Sequence, residues 1–231
     1  MYYFGRILGW IFMITIVKPM RIIYGKMQRE DFFDKELMES LKGKSIIIVS
    51  NHIKPRNKFL KLITMPYDAY MIRNLFLNFG IKTTAFASYD GGKMKRGSKI
   101  SKFKKGKERL VRGIVKSMDL IPLNRNEKDE ITLKEVKKRL NRSSLGIGIF
   151  PEGSWYRGFR KSRKLYHGAG VYAKKFKLNI LPVYLDAYNL KKNISLKIGE
   201  LISFELSSEE ITGLIGQQFK DMRKEEVYAC V

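Results

Sequence analysis

Short β-branched apolar runs take turns with longer stretches of helical character along most of this chain, and few architectures accept that rhythm. The run Ser45-Ile46-Ile47-Ile48-Val49-Ser50 is the clearest strand, and further candidates lie at 83–87, 120–123, 145–150, 180–185, 195–198 and 202–205. Helix-like stretches lie at 30–41, 68–79, 106–117, 128–140, 168–176 and 208–222. Near-continuous apolar strands are buried on both faces, which demands helices on both sides of the sheet. The expected fold is therefore α/β: a mixed, largely parallel central sheet of about seven strands flanked by helices, with reactive residues in the turns that follow strand ends. A chain of 231 residues with 44% hydrophobic content can fill one such core. The expected division is N-terminal helices over 1–41 and one α/β domain over 42–231.

The N-terminal segment follows a different pattern. Between Arg6 and Lys18 lie eleven uncharged residues, with Trp10, Phe12 and Met13 among them, and Pro19 follows at once. As a helix this stretch would reach ~16 Å, about half of a ~30 Å hydrocarbon layer, so it is too short to span a membrane. Residues 1–29 hold five basic and no acidic side chains, a composition suited to a helical anchor lying in a membrane surface. A buried core helix has the same apolar pattern. A cleaved leader is a third reading, but the run ends in Lys18-Pro19-Met20-Arg21 and offers no small-residue cleavage site.

Charge narrows the choice of partner. The 46 Lys and Arg against 22 Asp and Glu give a net charge of +24, a field that suits nucleic acid, an acidic leaflet or an acidic carrier protein equally. No zinc-finger cysteines, RNP-like aromatic run or helix-turn-helix pattern supports nucleic acid, so none is expected. Cys230 is the only cysteine, which excludes an intramolecular disulfide and a multi-cysteine metal site and favours a reducing, cytoplasmic setting. The two histidines, His52 and His167, show no metal-ligand spacing, and no metal is expected.

Two turns carry the candidate chemistry. Asn51-His52 directly follows the first strand, so the imidazole stands at a strand's C-terminal mouth, where a neutral ring can take a proton from an attacking alcohol. A structural or solvated loop histidine is the alternative. Phe150-Pro151-Glu152-Gly153-Ser154 again follows an apolar strand, and such a turn leaves a carboxylate and backbone N–H groups at the sheet edge. Residues 157–177 add eight basic side chains and no acid, which would suit a phosphate. A tight turn before a solvated basic helix has the same composition.

Taken in order, these residues resemble the lysophosphatidic acid acyltransferases, within the glycerophospholipid acyltransferases. Asn51-His52 is similar to the start of the family's Asn-His-x-x-x-x-Asp block. Leu120-Ile121-Pro122-Leu123-Asn124-Arg125 is similar to the second block, Phe150-Pro151-Glu152-Gly153 to the third and Ile180-Leu181-Pro182-Val183 to the fourth. The segment Leu165-Tyr166-His167-Gly168-Ala169-Gly170 is similar to the Lys-x-Gly-Ala stretch that follows the third block.

Three departures stand beside the matches. Asn57 occupies the place of the family's aspartate and cannot balance an imidazolium. The expected substitute is Asp68, because Pro66-Tyr67-Asp68 opens an amphipathic helix as the family's aspartate does. A helix N-cap is the plainer role for that residue. Trp155 replaces the arginine that usually follows the Pro-Glu-Gly turn, and Ser88 stands where many relatives carry a lysine. The resemblance implies direct acyl transfer with His52 as general base and Asp68 as its partner. Asn51, Arg125, Glu152, Gly153 and Arg157 are then the expected substrate-binding residues, Gly153 and neighbouring N–H groups facing the oxyanion. It further implies no cofactor, an acyl carrier protein or acyl-coenzyme A donor, a lysophospholipid acceptor, and an anionic phospholipid surface at the cytoplasmic face of the cell membrane.

Overall fold

The computed structural model describes residues 1–17, 35–53, 67–89, 102–123, 130–153, 165–186 and 195–228. The fold is mixed α/β, with six mostly parallel strands flanked by helices. The chain divides into two compact units, one built from Met1–Gly25 and Thr84–Ser143, the other from Lys26–Thr83 and Ser144–Val231.

The second unit contains α2 (Lys35–Ser40), β1 (Ile46–Ser50) and α3 (Tyr67–Asn78), and later β4 (Gly146–Ile149), α6 (Gly168–Phe176), β5 (Ile180–Asp186), β6 (Ser195–Ile198) and α7 (Ser208–Tyr228). β1 pairs in parallel with β4 through Ile46↔Gly146 and with β5 through Ile47↔Ile180, and β6 closes this edge antiparallel to β5. All five β1 residues are buried, and strand alternation sends them to two cores. Ile46 and Ile48 pack with Leu181, Val183, Ile72, Leu75 and Phe76 under α3. On β5, Tyr184 points the other way and meets Phe219 of α7 edge to face. Both faces are thus covered, which is why Ile46, Ile47, Ile48 and Val49 of β1 are all apolar. Gly146 leaves room where β4 passes β1: a Cβ there would sit 2.7 Å from the end of the Ile48 side chain, which would have to shift.

The first unit contains α1 (Tyr2–Phe12), a π-helical turn (Met13–Val17), β2 (Thr83–Ser88, Thr83 belonging to the other unit), α4 (Lys102–Ser117), β3 (Ile121–Leu123) and α5 (Glu130–Leu140). β2 and β3 run parallel through Phe86↔Ile121. α1 lies directly on α4: a Cβ at Gly5 would strike the Leu110 carbonyl, one at Gly9 would strike Ser117 and Ile114, and one at Gly113 would strike the Tyr2 carbonyl. Small residues four apart let two helix backbones touch. The outward side of α1 leaves Tyr3, Phe4, Ile7 and Trp10 each more than half exposed.

The expected strand at 202–205 is not a strand. Only Ile202 reaches the sheet, as a single bridge to Ile180, and residues 204–205 turn toward α7. The apolar-polar alternation of Ile202-Ser203-Phe204-Glu205 imitates a half-buried strand, but the chain leaves the sheet after one pair. Among the described residues the strands number six, one fewer than expected. No described helix is long and apolar enough to cross a membrane.

Candidate active site

β1 carries the chain into Asn51 and His52, and three sets of contacts fix its path there. The Asn51 amide is completely buried and clamps β1 to β5: Nδ2 donates to the Leu185 carbonyl at 2.8 Å and Oδ1 accepts the Leu185 N–H at 2.8 Å. The side chain thereby continues the ladder one step past the end of β1.

The next residue, His52, presents an imidazole that is 14% exposed, and Asp68, in the first turn of α3, is 0% exposed. Their contact is short, His52 Nδ1 to Asp68 Oδ2 at 2.6 Å. The same oxygen accepts the Ile53 N–H at 2.8 Å, and Asp68 Oδ1 accepts the Ala69 N–H at 2.8 Å. A buried carboxylate persists only where hydrogen bonds replace its lost water, and three nitrogens do so here. A carboxylate acceptor at Nδ1 places the proton of a neutral ring on that nitrogen, which makes Nε2 the basic one.

The turn after β4 supplies the third set. Buried Glu152 accepts the His52 backbone N–H at 3.3 Å through Oε2. Gly153 closes the turn at φ +67°, where its N–H donates to the Phe150 carbonyl at 3.1 Å. That left-handed backbone favours glycine, and a Cβ would also sit 3.1 Å from the Tyr166 ring. Tyr166 is itself tied to the turn by its N–H, which donates to the Pro151 carbonyl at 2.9 Å. The Phe150 ring stacks on the His52 imidazole with centroids 4.2 Å apart and planes at 21°.

The structure thus brings together His52, Asp68 and Glu152, with Asn51 and Gly153 shaping the backbone around them. Asn51 spends its amide on β5, and the Gly153 N–H is engaged inside its own turn. Arg125, Arg157, Asn57 and Trp155 lie outside the described residues. Ser88 ends β2 in the first unit. His167 begins α6, where its Nδ1 lies 3.0 Å from the Thr212 hydroxyl of α7. Among the described residues no three His, Cys, Asp or Glu side chains gather as metal ligands would. Four contacts were not anticipated from sequence: the Phe150 stack, the hold of Asp68 on the Ile53 N–H, the Asn51 clamp on Leu185 and the Glu152 bond to the His52 N–H. Position directly before Pro151-Glu152 is the one hint that Phe150 stands beside the histidine.

A buried carboxylate bonded to a largely shielded imidazole at the mouth of a strand is an arrangement for proton transfer. Residues 100–186 match the Acyltransferase family model. The match supports an acyltransferase. It covers less than half of the chain and includes Arg125, Phe150, Glu152 and Gly153, while His52 and Asp68 precede it. It supports the glycerophospholipid acyltransferases as a group and does not single out the lysophosphatidic acid enzymes. No curated protein gives a significant match to the chain.

Proposed function

We propose that this protein transfers a fatty acyl group from a thioester to the sn-2 hydroxyl of 1-acyl-glycerol-3-phosphate at an anionic membrane surface, forming phosphatidic acid. The observation that carries the reading is the 2.6 Å contact between His52 and buried Asp68. His52 Nε2 takes the proton of the acceptor hydroxyl as its oxygen attacks the thioester carbonyl, and Asp68 stabilises the imidazolium that forms. The tetrahedral intermediate then expels the thiol, its sulfur taking the proton back from His52 as the carbon–sulfur bond breaks. Proton and acyl group balance without an acyl-enzyme, so the step requires no nucleophilic side chain.

Arg125 and Arg157 are assigned to the acceptor phosphate, where charge-assisted bonds contribute about 1.5–3 kcal/mol each. Glu152 is assigned to holding the His52 backbone beside the acceptor. Membrane contact is assigned to the first unit. Exposed Tyr3, Phe4, Ile7 and Trp10 on α1 would enter the acyl boundary of the cytoplasmic leaflet, and Lys105, Lys107 and Arg109 on α4 would face its headgroups. The donor is an acyl carrier protein or acyl-coenzyme A.

Trp155 in place of an arginine favours a second reading with the same chemistry and a different acceptor, glycerol 3-phosphate or another lysolipid. Purified protein incubated with labelled acyl thioesters and a panel of these acceptors decides between them by product mass. A labelled phosphatidic acid is the expected product. Another acylated lipid replaces the acceptor, and absence of any acylated lipid overturns the proposal.

A further inference from the structure

Phe150 follows β4 and packs on the core cluster beneath α3. Filling space there would require only an apolar side chain of similar volume, and a leucine would serve. Its ring does more, because it lies nearly parallel to the His52 imidazole at 4.2 Å. The bond from Nδ1 to Asp68 fixes one point of that imidazole, and the bond from the His52 N–H to Glu152 fixes its backbone. Hydrogen bonds tolerate a broad angular range, so these two alone leave the ring some freedom to tilt. An aromatic face stacked on the ring restrains that motion, keeps water from one side, and favours the cation that forms when Nε2 takes a proton.

We propose that Phe150 is a positioning residue for the general base: its stacked ring holds the His52 plane so that Nε2 meets the acceptor hydroxyl in line. Phe150 and Glu152 stand two residues apart on the turn after β4, so one short segment sets both the backbone and the ring plane of His52. This inference rests on the acyl-transfer reading above. Misalignment of a general base lowers the chemical step and leaves ground-state binding alone.

The test compares Phe150→Leu, which keeps apolar volume, with Phe150→Tyr, which keeps the ring. Phe150→Leu is expected to lower kcat by about tenfold or more, with KM for thioester and lysolipid within about twofold, and Phe150→Tyr to restore most of the loss. If Phe150→Leu does not fold, as judged by circular dichroism, Phe150→Met takes its place. A second readout is independent of turnover. Nitrogen-15 side-chain spectra, with His167→Gln identifying the other histidine, should show His52 as a single Nδ1–H tautomer with ring protons shifted upfield. The upfield shift should be lost in Phe150→Leu, while the tautomer, which Asp68 sets, persists.

Unchanged kcat, a loss confined to KM, or His52 signals indifferent to the substitution would each overturn the assignment. If the wild-type protein acylates no acceptor, the acyl-transfer reading fails by itself, and the spectra alone decide whether Phe150 positions the ring.

Discussion

Asp68 Oδ2 accepts two N–H groups at once, from the His52 ring and from Ile53, so this one oxygen sets both the tautomer of the base and the course of the chain just after it. In the proposed mechanism the imidazole is the group that takes the acceptor proton. His52→Ala is expected to slow acyl transfer by about 10²–10⁴-fold, as read by product formation, with circular dichroism checking that the fold is retained. Asn51 acts on the backbone instead. Asn51→Ala would strand the buried N–H and carbonyl of Leu185, at about 1–3 kcal/mol for each unsatisfied group, and a lower urea midpoint is the expected result. At this scale the sequence went far. The Pro66-Tyr67-Asp68 opening of an amphipathic stretch pointed to the carboxylate that lies beside His52, although fifteen residues separate the pair in sequence. The Phe150 stack was not legible, because a phenylalanine at a strand end has the same local pattern whether it fills a core or lies on an imidazole.

Helix ends and helix contacts set the next level. Ser207 and Glu210 cap α7 reciprocally: the Ser207 N–H donates to Glu210 Oε2 at 2.8 Å, and the Glu210 N–H donates to Ser207 Oγ at 3.1 Å. The backbone bond from Ser207, and after it the side-chain bond, hold the Glu210 carboxyl below the usual glutamate range. A carboxyl with a depressed folded pKa contributes stability above its unfolded pKa and loses it as pH falls through the folded one. Glu210→Gln should therefore melt below the wild type at neutral pH, with the gap closing in acid as Glu210 takes up its proton; a gap independent of pH would contradict the cap. The α1–α4 contact depends on glycine in a different way. Gly5→Ala places a methyl group against the Leu110 carbonyl, and strain of about 1–3 kcal/mol should appear as a lower melting temperature and faster proteolysis near the N-terminus. Apolar runs bounded by turns revealed β1 to β6, most plainly β1, where burial on both faces leaves three isoleucines and a valine before the terminal serine. The seventh strand failed because alternation over four residues cannot report whether a neighbour continues beside them.

The whole molecule joins an apolar helix to a strongly basic body; these two features are assigned to membrane contact, and the His52–Asp68 pair to chemistry. If that division is right, each can be lost without the other. Ile7 and Trp10 are exposed on α1, so Ile7→Lys with Trp10→Glu should cut sedimentation with phosphatidylglycerol vesicles while the protein still folds; undiminished sedimentation would move the contact elsewhere. The complementary measurement bears on the chemistry itself. Asp68→Asn keeps the shape of the side chain and removes its charge, and its rate of labelled acyl transfer on those same vesicles is compared with that of the wild type. A loss of about a hundredfold or more, with vesicle binding unchanged, is the expected result. Transfer at the wild-type rate would show that the buried carboxylate beside His52 takes no part in the reaction.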